Sequence, residues 1–187
     1  DDFKSKMENN LPYFKKFSQI GIQMNSSGNM FYSNIYLQYD KSVKENTRLL
    51  WKKQLDAPAM TQPQIVKNHY TNEKEIIIQD SIYRLYLIGN TGEIIWKIQL
   101  NEPIISPIYQ VDFYNNGKYQ YLFNTPGFIH LIDREGRKVE NYPIALKSKA
   151  TNALSVYDYE KNKNYRIFIA CDNQVFGYRM DGKIIPE

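Results

Sequence analysis

Hydrophobic and polar positions alternate along most of the chain in short runs, a pattern that is typical of β-strands. Three apolar runs are each followed by a polar turn that contains glycine, and the turn glycines lie 44 and 46 residues apart. A strand, a glycine-centred turn and a second strand predict a β-hairpin, in which glycine supplies the positive φ that the turn needs. The runs and their glycines are residues 85–88 with Gly92, residues 128–132 with Gly136, and residues 175–178 with Gly182.

Other positions repeat with nearly the same period. Trp51 and Trp96 lie 45 residues apart within similar short sequences. Asp112 and Asp158 are the first residues of similar polar segments and lie 46 residues apart. Each unit then holds about four short strands. Four strands in about 45 residues is the size of one β-propeller blade.

The sequence therefore predicts an all-β protein of the β-propeller type, with about four consecutive four-stranded antiparallel blades in an incomplete ring. We expect one domain, residues 1–187. Its first blade is predicted to contain strands at residues 17–24, 30–39 and 47–55. The predicted lead-in, a short helix or a frayed segment, is residues 1–10, and the predicted blades are residues 11–56, 57–101, 102–147 and 148–187.

The fourth blade is expected to lack its last strand, because Pro186 occupies the place of the tryptophan. Three arrangements stay open: a strand within residues 13–24 closes the ring, two copies associate through their open edges, or the parent protein carries further blades. Because the chain begins with Asp1, it is interpreted as a mature or excised piece. An uncovered edge favours aggregation, so we expect dimerisation or another cover for it.

Residues 89–96, Gly-Asn-Thr-Gly-Glu-Ile-Ile-Trp, resemble the Asp-x-x-Thr-Gly-x-x-x-Trp phrase of quinoprotein-like (PQQ-like) propeller repeats. Gly89 replaces the family's aspartate. The third unit keeps Asp133 and Gly136 but has Glu140 in the tryptophan place. The resemblance covers roughly residues 47–187. The part from residue 49 onward is similar to the propeller portion of large, uncharacterised envelope-associated proteins of bacteria.

The resemblance implies architecture more than activity. Quinoprotein dehydrogenases of this fold use a vicinal cysteine pair and a calcium-binding Glu/Asn/Asp set, whereas Cys171 is the only cysteine here. Non-enzymatic relatives of the fold act as scaffolds, for example in outer-membrane protein assembly. The resemblance thus implies a scaffold in the bacterial periplasm or cell envelope, which is an analogy of fold.

Composition narrows the other possibilities. The net charge of +4 is scattered, without the concentrated basic patch that nucleic-acid binding needs. No apolar stretch reaches the length of a membrane-spanning helix. Cys171 lies in an apolar run and is interpreted as a buried core residue. We therefore expect no nucleic-acid partner and no membrane span in this chain.

No catalytic residue and no cofactor or metal ligand is predicted. Residues 112–117 match three positions of a calcium loop, but Tyr114 and Phe123 stand where acidic ligands belong, so a tight turn is favoured. His69 and His130 form no ligand motif and are interpreted as structural. Trp51 and Trp96 are interpreted as wedge-filling residues between blades, in preference to an exposed binding platform.

The leading functional hypothesis is a non-catalytic module for protein–protein interaction or scaffolding, with an unknown protein partner. The alternatives are a propeller that binds a carbohydrate or small ligand, or an enzyme whose site is assembled from loops of several blades. For such a site the loops around five residues would be the places to examine: Asn68, Asn115, Asn124, Thr125 and Asp172.

Overall fold

The structure is a computed structural model that describes residues 5–6, 10, 17–39 and 50–185. The chain forms two compact units, Asp1–Leu50 and Trp51–Glu187. Apart from the helical residues 5, 6 and 10, the regular structure that is described consists of β-strands and bridges. This confirms the all-β class, while the single-domain organisation stays a prediction. No helix in the described ranges is long and apolar enough to cross a membrane.

All four sheets are antiparallel, and each is built from consecutive strands. Each of the last three lies within one of the predicted blade segments. A two-stranded hairpin contains β1 (Phe17–Ser27) and β2 (Met30–Tyr39); sheet I contains β3 (Gln64–Lys67), β4 (Lys74–Gln79), β5 (Arg84–Ile88) and β6 (Ile94–Gln99); sheet II contains β7 (Tyr109–Val111), β8 (Gln120–Asn124), β9 (Phe128–Ile132) and β10 (Ile144–Ala145); sheet III contains β11 (Ser155–Tyr157), β12 (Arg166–Cys171) and β13 (Gln174–Arg179).

The first unit differs from the predicted four-stranded blade. Its two described strands pair from Ser27–Met30 to Gln19–Gln38, and they are about twice as long as the strands of the other sheets. The prediction of a strand at residues 47–55 is wrong for its described part, since residues 50–55 form no strand, and residues 47–49 lie outside the described ranges. The alternation of the sequence was therefore sufficient to predict strands, but not how many of them pair.

The hairpin is amphipathic and contains no charged residue. Cross-strand partners share one side of a sheet, and the pairs Ile20–Leu37 and Ile22–Ile35 make one side apolar. The opposite side carries amides and tyrosines, as in the pair Gln23–Asn34. The large apolar side chains of both strands are exposed.

Sheets I, II and III pack face to face in chain order. Each sheet has a downstream face, which we define as the side that is directed toward the next sheet in the sequence. One buried cluster joins the downstream face of sheet I to Tyr121 and Phe123 of sheet II, and a second joins the downstream face of sheet II to Ile167 and Ile169 of sheet III. The repeat thus produces a layered core.

Sheet III has three strands and an isolated bridge from Tyr178 to Ile184, where sheets I and II have a fourth strand. Ile185 also donates its N–H to the carbonyl of Gly177 at 2.8 Å. Residues 186–187, including the Pro186 of the predicted tryptophan place, lie outside the described ranges.

The two tryptophans contact the glycine turns of the following repeat unit. Trp51 Nε1 donates to the carbonyl of Asn90 at 2.9 Å, and Trp96 Nε1 donates to that of Arg134 at 2.6 Å. A Cβ on Gly92 would lie 2.8 Å from the Trp51 indole, so the turn has no room for a side chain. Each indole therefore fixes the turn by one hydrogen bond and by close packing.

The same position continues in the next repeat, although not at the residue that the spacing indicated. Gly182 has φ of +81°, like Gly92 and Gly136 at +89° and +80°. The side chain against it is Ile144, whose Cδ1 would lie 3.1 Å from an added Cβ. An aliphatic side chain thus replaces the indole. It lies four residues after Glu140, the position that the repeat spacing indicated.

Candidate functional site

The polar loops between the first two strands of sheets II and III are tight turns closed by carboxylates. Asp112 accepts the N–H groups of Asn116 and Gly117, both at 2.9 Å. Asp158 accepts those of Asn162 and Lys163, at 3.1 and 3.0 Å. These oxygens are engaged by backbone donors, so the calcium-loop spacing serves turn formation here.

Asp112 also connects the two loops. Lys163 Nζ donates to the Asp112 carboxylate at 2.6 Å. The backbone N–H of Asp112 donates to Tyr165 Oη at 3.2 Å. Burial raises the pKa of Asp112, but hydrogen bonds from Lys163, Asn116 and Gly117 outweigh burial and lower the pKa below its usual value. The carboxylate is therefore ionised at neutral pH and stabilises the contact between neighbouring loops.

His69 makes the corresponding contact between sheets I and II. Its Nδ1 accepts the N–H of Tyr119 at 3.1 Å, which places the imidazole proton on Nε2. Burial, followed by the nearby Arg134, lowers the pKa of His69. No hydrogen-bond partner for the buried Nε2 is present among the described residues.

A buried ion pair joins sheets I and II beside His69. Glu75 of β4 binds the guanidinium of Arg134, which lies in the glycine turn of sheet II. Asn68 Nδ2 donates to the same carboxylate at 2.9 Å. The two charged residues lie 59 positions apart, so no local motif could have revealed the pair. It stabilises the interface between the sheets and exposes little surface to a ligand.

A cavity with several charged and polar side chains lies where the end of sheet I meets sheet II. Its volume is about 120 Å³, and it contains Glu102, Thr125 and His130. Glu102 accepts the N–H of Gly127 at 2.8 Å, and Thr125 Oγ1 lies 3.3 Å from His130 Nε2. The remaining lining residues are Gln99, Leu100, Asn101, Phe128, Lys138 and Pro143.

Two charges act on the imidazole in this cavity. Burial lowers the pKa of His130 to about 4, and it is opposed by Glu102 and assisted by Lys138. The pKa of Glu102 is raised by burial, but hydrogen bonds from Thr125 and Gly127 bring it below its usual value. At neutral pH the cavity therefore contains a neutral imidazole and an ionised carboxylate.

The structure does not bring the five loop residues from the sequence analysis together. Asn68 and Asn115 lie in the loops after β3 and β7, at one end of the sheets, whereas Thr125 and Asp172 lie at the opposite end. Asn124 is buried and bonds to the chain of the next unit. Only Thr125 lines the cavity, and its partner Glu102 was missed because it carries no motif of its own.

Cys171 lies in the core between sheets II and III, and burial raises the pKa of its thiol. No group of three or more His, Cys, Asp or Glu side chains that could hold a metal ion occurs within the described ranges. The chain matches no known protein-family model and no curated protein.

The downstream face of sheet III is the second candidate surface. The corresponding positions of sheets I and II are buried core residues, whereas Val175 and Tyr157 of sheet III are 72% and 46% exposed. Gly177 stands where the other two sheets have leucine. Beside it, a cavity of about 400 Å³ includes Val175, Ile184 and Ile185. This face has the construction of a packing surface, yet Val175 and Tyr157 are exposed on it.

Aromatic and cationic groups lie on the same face. The rings of Tyr157 and Tyr159 stack at 5.4 Å, and the guanidinium of Arg166 lies 5.6 Å from the Tyr159 ring. Arg166 and Arg179 are direct cross-strand partners, so two like charges face each other. Such a pair is unfavourable unless acidic groups approach it. Tyrosine and arginine are also the residues that are enriched in protein interfaces.

Proposed function

We propose that the chain is a non-catalytic protein-interaction module, and that its interaction surface is the downstream face of sheet III. The observation that supports the proposal is the contrast between this face and its buried equivalents. Val175 occupies the position of Leu85 and Ile129, which are fully buried by the next layer. A partner that covers the face of sheet III would remove exposed apolar surface from water.

The partner we propose is a protein surface with an apolar centre and an acidic rim. The apolar centre matches Val175 and the adjoining cavity, and carboxylates at the rim would add to the long ion pairs that Arg166 and Arg179 make within the chain. Glu160 and Asp181 reach these arginines only at 3.6 and 3.7 Å. The arginines thus retain donors for a partner.

We further propose that sheets I to III are consecutive blades of a PQQ-like propeller in a bacterial envelope protein. The architecture is supported by the period of the glycine turns and by the tryptophan contact that recurs at two of these turns. The cellular location rests on the resemblance of the repeat phrase alone. Both proposals agree with a scaffold whose last described blade presents its face to another protein.

The interaction surface can be tested by site-specific photo-crosslinking in cells of the source organism. A crosslinker at Val175 should capture a protein that a crosslinker at Tyr114, which is also exposed and lies in the loop of sheet II, does not capture. The captured protein is then purified, and its affinity is measured. Arg166→Glu should weaken binding at least about tenfold, since it replaces an attraction by a repulsion.

Arg137→Glu is the matched control, because Arg137 is exposed and lies in the glycine turn of sheet II. It should leave the affinity within about twofold. A partner that binds Arg166→Glu and Val175→Lys as well as the unmodified protein would contradict the proposal. So would self-association of the purified chain that Val175→Lys abolishes, because the face would then bind a second copy.

A further inference from the structure

The cavity between sheets I and II is lined by both apolar and polar side chains, and two of the polar ones differ from their equivalents in the other repeats. His130 is the structural equivalent of Tyr86 in sheet I and Phe176 in sheet III, as the strand pairings align them. Lys138 corresponds to Ile94 and Ile184, which bridge to the same strand position. A histidine and a lysine thus stand where the other repeats use aromatic or aliphatic residues.

The carboxylate of Glu102 is held in place by the chain around it. Its Oε2 accepts the N–H of Gly127, and an added Cβ on Gly127 would lie 3.0 Å from Oε1. Glycine therefore permits a close approach that another residue would hinder. A carboxylate has about four acceptor positions, so acceptor capacity remains after the hydrogen bonds of Gly127 and Thr125.

Opposite charges line the cavity without neutralising each other. Both Glu102 and Lys138 act on the imidazole of His130. Neither belongs to an ion pair among the described residues. Amide groups of Gln99 and Asn101 lie beside them, with the side chains of Leu100 and Phe128 as apolar walls. The cavity is therefore dipolar, with a carboxylate, an ammonium group and neutral donors and acceptors.

Size restricts the ligand further. An engineered cavity of about 150 Å³ in another protein accepts benzene. A cavity of about 120 Å³ therefore suits about five or six non-hydrogen atoms. A ligand of this size can still span two opposite charges if it carries both an ammonium and a carboxylate group.

We propose that this cavity binds a small α-amino acid as the zwitterion. The ammonium group donates to Glu102, and the carboxylate accepts from Lys138. Asn101 supplies a further hydrogen bond, and a hydrogen or methyl side chain is directed at the apolar wall. This site is separate from the downstream face of sheet III and does not depend on the proposed protein partner.

Four small probes separate the contributions, and binding is measured by NMR titration of the backbone amides of the whole chain. Glycine carries both charges, acetate only the negative charge, methylamine only the positive charge, and glycerol neither. Glycine should bind with a Kd of about 1 mM, which is reasonable for so few atoms. The other three probes should bind at least about tenfold more weakly, since each loses a charged hydrogen bond.

The shifts should concentrate at residues 99–102, 125–130 and 138. Glu102→Gln keeps an acceptor for Gly127 but removes the charge, and it should weaken glycine binding at least about tenfold. Lys138→Gln should weaken glycine binding by a similar factor, because it removes the positive charge that binds the carboxylate of the ligand. Glu140→Gln, an exposed change two residues farther along the chain, is the matched control and should leave the Kd unchanged.

Three results would overturn the proposal. The first is the absence of saturable glycine binding at tens of millimolar. The second is binding of acetate, methylamine or glycerol as tight as that of glycine, which would show that only one charge or none is recognised. The third is an unchanged glycine affinity in both Glu102→Gln and Lys138→Gln, with amide spectra showing that both variants are folded.

Discussion

Sheets II and III are two copies of one repeat in two different environments. Sheet II is covered on both faces, and the residues of its downstream face, such as Leu122 and Ile129, are fully buried. The equivalent residues in sheet III are Phe168 and Val175, and Val175 is largely exposed. The comparison separates what the fold needs from what varies: the glycine turn is present in both sheets, whereas the side chains that bind the next layer are not.

The largest expected effect concerns the ion pair that sheet II makes and sheet III does not. Glu75 and Arg134 correspond to Gln120 and Met180 one repeat later, so the next interface has no ion pair at this position. Arg134→Met gives sheet II the residue that sheet III has at the equivalent position, Met180. It leaves the Glu75 carboxylate buried and without its cationic partner. We expect a loss of roughly 3 to 5 kcal/mol in the free energy of unfolding, measured by urea titration.

The double variant Glu75→Gln with Arg134→Met should recover most of that loss, since it reproduces both residues of the next interface. Arg137→Met is the control in the same turn. Its ion pairs are exposed, and the change should cost less than about 1 kcal/mol. A double variant as unstable as the single one would mean that the two interfaces differ by more than this pair.

The sequence predicted the parts of this comparison that depend on local chemistry. Glycine in a polar turn and aspartate before an Asn-rich loop each determine their own conformation, so Gly136 and Asp112 could be placed without the structure. Glu75 and Arg134 meet only because two sheets pack, and no spacing rule joins positions that far apart. The same reason hid Glu102, whose neighbours in the cavity come from three separate strands and loops.

The replacement of tryptophan shows a second limit of sequence reasoning. The period located an indole-type position at Glu140, but the side chain that covers the Gly182 turn is Ile144. The segment after β9 differs from its counterpart in sheet I, and its strand β10 has only two residues. Spacing predicts which contact recurs, whereas packing determines the residue that makes it.

A smaller effect is expected from truncating the downstream faces themselves. Ile129→Ala removes a fully buried side chain between sheets II and III and should cost about 3 kcal/mol of unfolding free energy. Val175→Ala removes a side chain at the equivalent position of sheet III and should cost less than about 0.5 kcal/mol. Thermal or urea unfolding of the two variants measures the difference. A similar cost at both positions would show that the face of sheet III is covered in solution, for instance by self-association.

The smallest of the three effects concerns the amides that connect each sheet to the chain of the next. Gln79 Oε1 accepts the N–H of Ile104 at 2.8 Å, and Asn124 Oδ1 accepts that of Leu154 at 3.0 Å. Ala170 holds this position in sheet III. Asn124→Ala gives sheet II the alanine that sheet III has at this position. It leaves the N–H of Leu154 buried without its acceptor. The unfolding free energy should fall by about 2 kcal/mol.

The reverse change, Ala170→Asn, supplies an amide where no further layer is described and should alter stability by less than about 0.5 kcal/mol. Hydrogen exchange at the Leu154 amide gives an independent measure, because exchange should accelerate in Asn124→Ala and stay unchanged in Ala170→Asn. If Ala170→Asn instead stabilises the protein by more than 1 kcal/mol, about what a new hydrogen bond contributes, the added amide has found an acceptor. The downstream face of sheet III would then have the same capacity to bind a neighbouring chain as that of sheet II, and its exposure would reflect the lack of a partner alone.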